Sequence, residues 1–286
     1  MRSYKRIIVL AMGGSRLAPD VLNIYKPELD IRIHSDFGLP ILSDETLAES
    51  LIIANSYSGN TAESINGLEE ALSRGLNTAV IAGGGELVKI AAEHNLPFAR
   101  LEQKDMAARL GVGHNFVALA RMINIEIPEL QSCGNIDVSI LKQQGRELAE
   151  FISDRIPLIY TTDRLNELGY IWKVILNETA KIPAFSNRFP ELNHNEINSF
   201  DGKGRFCVLT IDDQRSIKLS RRISAAIEVI KEKSVHVKQV DLDGNSLLQK
   251  IVTSMILAHQ TALFLAEKSG RDPIATPIVD QLKKLA

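Results

Sequence analysis

The chain has 286 residues, more than the usual single-domain size of about 100–200 residues, which favours one large domain or two similar ones. Its 45% hydrophobic and 24% charged residues are typical of a globular protein and exclude a disordered, collagen-like or coiled-coil chain. The 33 basic residues nearly balance the 35 acidic ones, giving a net charge of −2, which argues against a nucleic-acid partner or a polybasic membrane contact and leaves any anionic ligand to local groups.

The two cysteines, Cys133 and Cys207, stand far apart, with neither a CxxC spacing nor a neighbouring pair of histidines. This pattern gives no disulfide framework and no cysteine-based zinc site, and it favours a reducing, cytoplasmic location. The most apolar late stretch, Met255 to Ala266, is interrupted by polar residues and is shorter than the roughly 20 residues that span a bilayer. It predicts a buried helix.

Short runs rich in isoleucine and valine alternate with longer segments of helical period, which predicts βαβ units and a parallel sheet. In the first half of the chain the predicted strands are Arg6–Leu10, Ile31–His34, Leu51–Ala54, Thr78–Ile81 and Pro97–Leu101. The predicted helices of this half are Ser15–Tyr25, Thr61–Arg74, Glu86–His94 and Met106–Asn124.

The segment Glu126–Asn135 contains a proline and a glycine and interrupts this rhythm, which predicts a connection between two halves. We place the two domains at residues 1–133 and 134–286. The predicted strands of the second half are Leu158–Thr161, Phe206–Ile211 and His236–Val240. Its predicted helices are Val138–Asp154, Leu165–Asn177, Gln214–Glu232, Leu247–Lys268 and Thr276–Leu285.

A loop of more than 20 residues, Glu178–Arg205, separates two predicted elements of the second half. Loops of that length in compact domains are usually functional or disordered. This one mixes aromatic, proline and ionisable residues, unlike a flexible linker. We therefore expect it to be ordered and functional.

The turn Ser56–Thr61, of sequence Ser-Tyr-Ser-Gly-Asn-Thr, joins a predicted apolar strand directly to a helix. Gly59 lets the backbone approach a ligand, and the hydroxyls of Ser56, Ser58 and Thr61 are hydrogen-bond donors. The free N–H groups at the start of the helix favour a phosphate dianion. The alternative is that Ser58 or Thr61 only caps the helix. The carboxyl end of a central strand is where open α/β sheets bind ligands, which favours an anion-binding turn.

A second turn of this kind follows the first predicted strand, where two glycines and Ser15 open a helix. Neither this turn nor the run Gly83–Gly85 completes a GxGxxG spacing, and the chain has no GxxxxGK followed by serine or threonine. Dinucleotide-binding and P-loop functions are therefore disfavoured. If both hydroxyl-rich turns face one pocket, Ser15 and Ser56 bracket one substrate.

The strand that ends in the Ser56–Thr61 turn resembles the sugar isomerase (SIS) domain, a flavodoxin-like module that binds phosphosugars. Three other stretches resemble the bifunctional phosphoglucose/phosphomannose isomerases: Trp172–Pro183, the Asn-His-Asn-Glu run at Asn193–Glu196, and Asp272–Lys283. The resemblance covers nearly the whole chain. It implies an α/β fold of two flavodoxin-like SIS subdomains, each a parallel sheet flanked by helices.

The resemblance implies an isomerase that interconverts glucose 6-phosphate, and mannose 6-phosphate as a second aldose, with fructose 6-phosphate through a cis-enediol. Glu178 would move the proton between C1 and C2, a task that suits a carboxylate of tuned pKa. His194, helped by Lys283, would open the sugar ring, since imidazole titrates in the right range. The family can supply such a histidine from the neighbouring subunit, which implies a homodimer. This mechanism needs no metal and no cofactor.

The same resemblance assigns the remaining roles. Arg109 would stabilise the negative charge of the enediolate, although Ala108 precedes it where the family usually has a proline. Thr276 would be linked with acceptance of the mannose epimer. The residues implied to hold the substrate phosphate are Ser15, Ser56, Ser58 and Thr61.

Two other functions stay open: an SIS isomerase for another phosphosugar, and a non-catalytic phosphosugar-binding regulatory protein. The sequence has no helix-turn-helix segment and no basic tail, and it has both Glu178 and His194, which favours an enzyme. Arg16 stands where a small residue is more usual. It contacts the phosphate, points to solvent or narrows the pocket, and the sequence does not distinguish these.

Overall fold

The structure is a computed structural model that describes residues 4–102, 106–202 and 204–285. The chain forms two compact units, unit 1 at Met1–Ile127 and unit 2 at Pro128–Ala286. Each unit is built on a parallel sheet flanked by helices, which confirms the predicted fold class. The segment Pro128–Asn135 forms 3-10 turns at the start of unit 2.

The sheet of unit 1 is parallel throughout. Its strands are β1 (Arg6–Leu10), β2 (Ile31–His34), β3 (Ser50–Ser56), β4 (Asn77–Ala82) and β5 (Phe98–Arg100). Its helices are α1 (Gly13–Tyr25), α2 (Asp44–Ala48), α3 (Ala62–Ser73), α4 (Gly85–Glu93) and α5 (Val112–Met122). The strand order is β2–β1–β3–β4–β5. The order reverses at β1 and β3, so the carboxyl ends of these two strands form the switch point where ligands bind in such sheets.

Strand β3 lies at the centre of unit 1 and is buried at every position. Because helices cover both faces of a parallel sheet, the middle of such a strand is continuously apolar instead of alternating, as Leu51–Ala54 is here. On one face Ile8 and Ile52 pack with Leu47 of α2. Further along the same face Val80 and Leu68 pack together. Each such buried side chain contributes about 1.5–3 kcal/mol to stability, and this rigid core fixes the strand ends.

Unit 2 repeats the plan with four strands. They are β6 (Ile156–Thr162), β7 (Phe185–Phe189), β8 (Phe206–Ile211) and β9 (His236–Gln239). The helices are α6 (Val138–Ile152), α7 (Asn166–Ile175), α8 (Ile217–Glu232), α9 (Leu247–Lys268) and α10 (Pro277–Leu285). The order β7–β6–β8–β9 matches the arrangement of the first four strands of unit 1, second–first–third–fourth. Its switch point therefore lies at the ends of β6 and β8.

The segment Glu178–Arg205, expected to be an ordered loop, contains strand β7 and several helical turns instead. β7 pairs in parallel with β6, and its last residue, Phe189, packs edge-to-face on Tyr160 with ring centroids 5.8 Å apart. The strand escapes prediction because only its two end residues are apolar and it lies at the edge of the sheet. The rest of the segment forms 3-10 turns at Glu191–His194 and Glu196–Asp201.

The helix predicted over Met106–Asn124 is shorter in the structure, where a 3-10 turn at Ala108–Leu110 precedes α5. The predicted buried helix at Met255 to Ala266 is confirmed as the second half of α9, whose side chains include a buried Met255, Leu257 and Leu265. Within the described ranges, no helix combines the length and the apolarity that a membrane span needs.

Candidate active site

The turn between β3 and α3 brings three hydroxyl groups together. Ser56 Oγ lies 2.7 Å from Thr61 Oγ1 and 3.4 Å from Ser58 Oγ. Thr61 occupies the residue before α3, yet its hydroxyl pairs with Ser56 instead of capping the helix. This arrangement favours the anion-binding interpretation of the turn over simple helix capping.

Two of these hydroxyl oxygens accept hydrogen bonds from backbone amides. Gly59 N donates to Ser56 Oγ at 3.1 Å, and Asn60 N donates to Ser58 Oγ at 3.2 Å. A hydroxyl that accepts a backbone hydrogen bond still has its own proton to donate. The turn therefore offers O–H donors at the start of α3, where the helix dipole also favours an anion.

Gly59 is required by its surroundings. It adopts φ +74°, and a Cβ there would lie 1.7 Å from the carbonyl oxygen of Gly84. The same contact is braced by two hydrogen bonds, from Leu87 N to Gly59 O at 3.0 Å and from Glu86 N to Asn60 Oδ1 at 2.9 Å. The glycine run before α4 thus serves close packing against the β3–α3 turn.

Ser15, in the first turn of α1, joins this group from the end of β1. Tyr57 N donates to Ser15 Oγ at 2.8 Å, so the turns after β1 and β3 are bonded to each other at the switch point. We call the four hydroxyl residues the hydroxyl cradle. Its members are Ser15, Ser56, Ser58 and Thr61.

Arg16 faces the neighbouring strand β2. Its Nε lies 3.2 Å from Oδ2 of Asp20, a fully buried carboxylate, and its Nη1 lies 3.5 Å from Ser35 Oγ. Ser35 in turn donates to the carbonyl oxygen of Ala11 at 2.8 Å. These contacts argue against one of the three possibilities for Arg16, a side chain that points freely into solvent. The side chain ties the β1 turn to the end of β2.

Arg109 lies beside the β1–α1 turn and is only 2% exposed. A Cβ at Gly14 would lie 2.5 Å from Arg109 N, and a Cβ at Gly111 would lie 2.9 Å from the ring of Tyr57. The 3-10 turn that carries Arg109 is therefore wedged between the two turns of the hydroxyl cradle.

Glu178 lies in unit 2, in one turn of π-helix, Leu176–Ala180, that continues α7. Such single π turns are rare and occur frequently at functional sites. Glu178 is half-buried, and the turn ends at Lys181 with φ +56°. Asn177 Nδ2 donates to the carbonyl of Ile182 at 2.9 Å and closes the turn. The carboxylate is thus carried by a short, strongly constrained segment.

Two cations clamp this π turn to the segment before α10. Lys181 Nζ donates to Glu178 O at 3.2 Å and also to Asp272 O. Arg271 Nη1 donates to Ala180 O at 3.3 Å and to Lys181 O. The clamp brings the backbone of Glu178 close to the chain that leads to Thr276. No local sequence pattern marks either cation as a positioning residue.

His194 is exposed, at the end of a 3-10 turn that Glu196 anchors. Tyr160 OH donates to Glu196 Oε1 at 2.6 Å, and Asn187 Nδ2 donates to Glu196 Oε2. Burial, and the hydrogen bond to Glu196, raise the pKa of the Tyr160 phenol far above its usual value. Glu196 thus holds the His194 segment against the sheet. Its place in the Asn-His-Asn-Glu run was the only signal for this role in the sequence.

Thr276 and Lys283 belong to the C-terminal segment. Thr276 is half-buried, and its carbonyl accepts from Asp280 N at 3.0 Å at the start of α10. Lys283 lies on α10 and is exposed, as are the apolar side chains of Ile278 (81%) and Leu282 (64%). The structure therefore groups the hydroxyl cradle with Arg109 in unit 1. In unit 2 it links Glu178 with the Thr276 segment and leaves His194 and Lys283 on exposed segments of their own.

Acidic residues directly follow both corresponding strands of unit 2, although β6 itself ends in Thr161 and Thr162. Asp163 and Arg164 follow β6, and Asp212 and Asp213 follow β8. Arg164 pairs with Asp213, and Arg215 Nε lies 3.3 Å from the same carboxylate oxygen. The charge of Asp213 is thus already balanced by cations of its own unit.

Comparison with known proteins assigns the family. The sequence profile of the bacterial phospho-glucose isomerase C-terminal SIS domain matches residues 141–285. A bifunctional phosphoglucose/phosphomannose isomerase of Thermoplasma volcanium is 30% identical, over 98% of this chain and 91% of its own. Another from Aquifex aeolicus is 27% identical, over 98% and 90%. A D-glucosamine-6-phosphate 4-epimerase of Sulfolobus acidocaldarius is 28% identical, over 71% and 66%.

Solved structures share the fold at low sequence identity. A hypothetical protein from Thermus thermophilus superposes with a TM-score of 0.77 at 16% identity, over 99% of this chain and 83% of that one. A glucosamine-6-phosphate deaminase from Thermotoga maritima superposes with a TM-score of 0.72 at 13% identity, over 96% and 88%. With the near full-length match to the isomerases, these observations show that the chain belongs to the SIS-domain family of bifunctional phosphoglucose/phosphomannose isomerases.

Proposed function

We propose that the protein is an aldose–ketose isomerase that interconverts glucose 6-phosphate and mannose 6-phosphate with fructose 6-phosphate. The observation that carries the proposal is the hydroxyl cradle at the β1/β3 switch point of a chain that belongs to this family. Both aldoses share a phosphate on C6, which is the group that the cradle suits. Isomerisation moves protons within one substrate, so acid and base side chains alone can carry the proposed reaction.

The hydroxyl cradle binds the phosphate dianion. Ser15, Ser56, Ser58 and Thr61 donate their O–H groups to phosphate oxygens, and the amino-terminal end of α3 adds its dipole. The tight backbone contact at Gly59 supports this role because it keeps the turn compact around the ligand. Binding at C6 leaves C1 and C2 at the far end of the open-chain sugar.

Glu178 transfers the proton. As a base it removes the proton from C2 of the aldose, and the C1 carbonyl oxygen becomes an enediolate oxygen that takes up a proton to give the cis-enediol. The O2 hydroxyl then loses its proton as the C2 carbonyl forms, and the protonated carboxyl of Glu178 returns its proton to C1 to give the ketose. Arg109 stabilises the negative charge on the enediolate oxygens. The constrained π turn supports this role for Glu178 because proton transfer demands a fixed carboxylate.

His194 and Lys283 assist ring opening, and Thr276 contributes to acceptance of the mannose epimer. We further propose that the protein is a homodimer in which His194 of one subunit serves the active site of the other. The exposure of His194 on its 3-10 turn supports this arrangement. Two free cysteines support a cytoplasmic location.

Assays with a panel of sugar phosphates test the function. We expect turnover of glucose 6-phosphate and mannose 6-phosphate to fructose 6-phosphate in coupled assays. Glu178→Gln keeps the size of the side chain but removes the base, so the rate should fall by about 10²–10⁴-fold while binding of fructose 6-phosphate persists. Wild-type protein that binds fructose 6-phosphate without turning it over is instead a phosphosugar-binding regulator, and the proposal is wrong.

A second candidate substrate comes from the epimerase relative. Because that protein is named for action on D-glucosamine 6-phosphate, the panel includes glucosamine 6-phosphate, with products identified by NMR. Exclusive turnover of an amino sugar, a pentose phosphate or a heptose phosphate assigns the chain to another SIS activity. If Glu178→Gln loses that activity, Glu178 is the base for that substrate as well. If the variant keeps the activity, another residue is the base.

A further inference from the structure

The carbonyl oxygen of Ser15 lacks its normal helical donor. In an α-helix this oxygen accepts from the backbone N–H four residues later, and in α1 that residue is Pro19. Proline has no N–H group, so it leaves the carbonyl of Ser15 open inside the first turn of the helix. A buried carbonyl must find a donor elsewhere.

Two buried asparagines supply the missing donors. Asn55 Nδ2 lies 3.0 Å from Ser15 O, and Asn115 Nδ2 lies 3.3 Å from the same oxygen. Asn55 is 0% and Asn115 is 3% exposed. Within the described part of the chain, neither side-chain oxygen has a hydrogen-bond partner. Burying an unsatisfied acceptor is costly. The bonds that the two amide N–H groups donate to Ser15 O offset this cost and explain why both side chains are buried here.

These two bonds join three segments at one atom. Asn55 and Tyr57 lie on either side of Ser56, and both bind Ser15, one through its carbonyl and the other through its Oγ. Asn115 lies in the first turn of α5, immediately after the turn that carries Arg109. The Ser15 carbonyl therefore fixes the β1 turn, the β3 turn and the Arg109 turn relative to one another.

We propose that Asn55 and Asn115 are positioning residues of the hydroxyl cradle, which act through the Ser15 carbonyl that Pro19 leaves open. The proposal deepens the proposed function and rests on it. Without one of the two amides, Ser15 shifts and its hydroxyl no longer converges with that of Ser56. Affinity for the phosphate group falls, whereas proton transfer by Glu178, carried on another segment, is affected much less.

Asn115→Leu tests the proposal, since leucine has a similar size and no N–H donor. We expect the dissociation constant of inorganic phosphate, measured by calorimetry, and KM for fructose 6-phosphate to rise at least fivefold, with a smaller fall in kcat that reflects the loosened Arg109 turn. Phe116→Leu is the matched control. Phe116 is the next residue of α5, is buried and packs on Tyr25, so its variant loosens α5 without touching the Ser15 carbonyl and should leave both constants unchanged.

Pro19→Ala provides the rescue. Alanine restores the N–H four residues after Ser15, so the double variant with Asn115→Leu should return both constants to within twofold of wild type. If Asn115→Leu is insoluble, the proposal requires the double variant to be soluble and to bind phosphate.

Unchanged phosphate affinity in Asn115→Leu overturns the proposal, as does a double variant no better than Asn115→Leu, or insolubility of both. A fall in affinity of the same size in Phe116→Leu also overturns it. Wild-type protein that binds no phosphate overturns the role of the cradle and this inference together. Phosphate binding without isomerase activity overturns only the proposed reaction, because the calorimetric readout does not depend on turnover.

Discussion

Among the four residues of the hydroxyl cradle, Ser56 makes the most contacts within the β3–α3 turn. Its Oγ accepts from Gly59 N and lies within reach of the hydroxyls of both Thr61 and Ser58. Tyr57, the next residue, bonds Ser15. One oxygen atom thus organises the turn internally, and the adjacent amide ties it to β1.

Replacing Ser56 by alanine should weaken phosphate binding more than it weakens the fold. A hydrogen bond to a charged group is worth about 1.5–3 kcal/mol, so the dissociation constant of inorganic phosphate should rise about 10- to 100-fold. Ser73→Ala is the control, because Ser73 donates to Glu70 O at the opposite end of α3 from the cradle. Equal affinities of the two variants, measured by calorimetry, would contradict a phosphate role for Ser56.

Tyr160 makes stability depend on alkaline pH. Its raised pKa means that the folded chain keeps the phenol proton above pH 10, while the unfolded chain releases it. The free energy of unfolding should therefore be full below about pH 10 and fall above it, by up to about 1.4 kcal/mol per pH unit.

Tyr160→Phe should remove that slope and lower stability near pH 8 by about 1.5–3 kcal/mol, because Glu196 loses a donor. Urea unfolding between pH 8 and 11 measures both effects. An identical alkaline slope in the variant would show that another group titrates. Because Glu196 anchors the His194 segment, kcat should also fall.

At the scale of elements, the π turn after α7 depends on the chain 90 residues further on. The side chains of Lys181 and Arg271 form hydrogen bonds between the two segments. These bonds hold the π turn that carries the base against the segment before α10. The positive φ of Lys181 ends the helix at the point where its side chain turns back to Glu178 O.

Lys181→Met should separate these segments. Methionine keeps the length of the side chain but donates no hydrogen bond, so Glu178 loses its fixed orientation, and kcat should fall about 10- to 100-fold with little change in KM. Amide exchange of residues 272–276 should accelerate in the same variant. Lys268→Met, which removes a bond to Ser153, is the control, and a similar loss of kcat there would argue against the clamp.

The elements show where sequence patterns suffice. Strands β1, β2 and β8 have the bounds that their apolar runs predict, because each is paired on a buried sheet. β7 was missed since its central residues are polar. The π turn, and the helical carbonyl opened by Pro19, leave no periodic signal, because they depend on partners distant in sequence.

The candidate site shows the same division. The hydroxyl cradle was predictable from two short turns, each directly after a predicted strand, and the structure bonds these two turns to each other. Its supporting residues were not, because Asn115 meets Ser15 across 100 positions of the chain and Lys181 meets Asp272 across 91. Local sequence identifies reactive groups more readily than the residues that orient them.

At the scale of the whole molecule, the proposed sharing of His194 predicts complementation between subunits. Glu178→Gln and His194→Asn should each be nearly inactive as homodimers. Mixed by unfolding and refolding together, half of the dimers are hybrids, and each hybrid has one intact site, so activity should return to about a quarter of wild type.

No recovery on mixing would show that Glu178 and His194 act within one subunit. Sedimentation of the wild-type protein as a monomer would contradict the dimer itself. A double variant carrying both substitutions in one chain, mixed with wild type, controls for simple exchange of subunits.

The acidic residues that follow the strands of unit 2 limit the number of phosphate ions that one chain binds. The strand order of unit 2 matches that of the first four strands of unit 1, but Asp212 and Asp213 follow β8 where the hydroxyl-rich turn follows β3. Arg164 and Arg215 already pair with Asp213. A calorimetric titration with inorganic phosphate should therefore saturate at one equivalent per chain, and two equivalents would contradict this. Of the two related sheets, the one in unit 1 presents hydroxyl donors to a dianion, whereas in unit 2 the cations at the corresponding edge are already paired with a carboxylate.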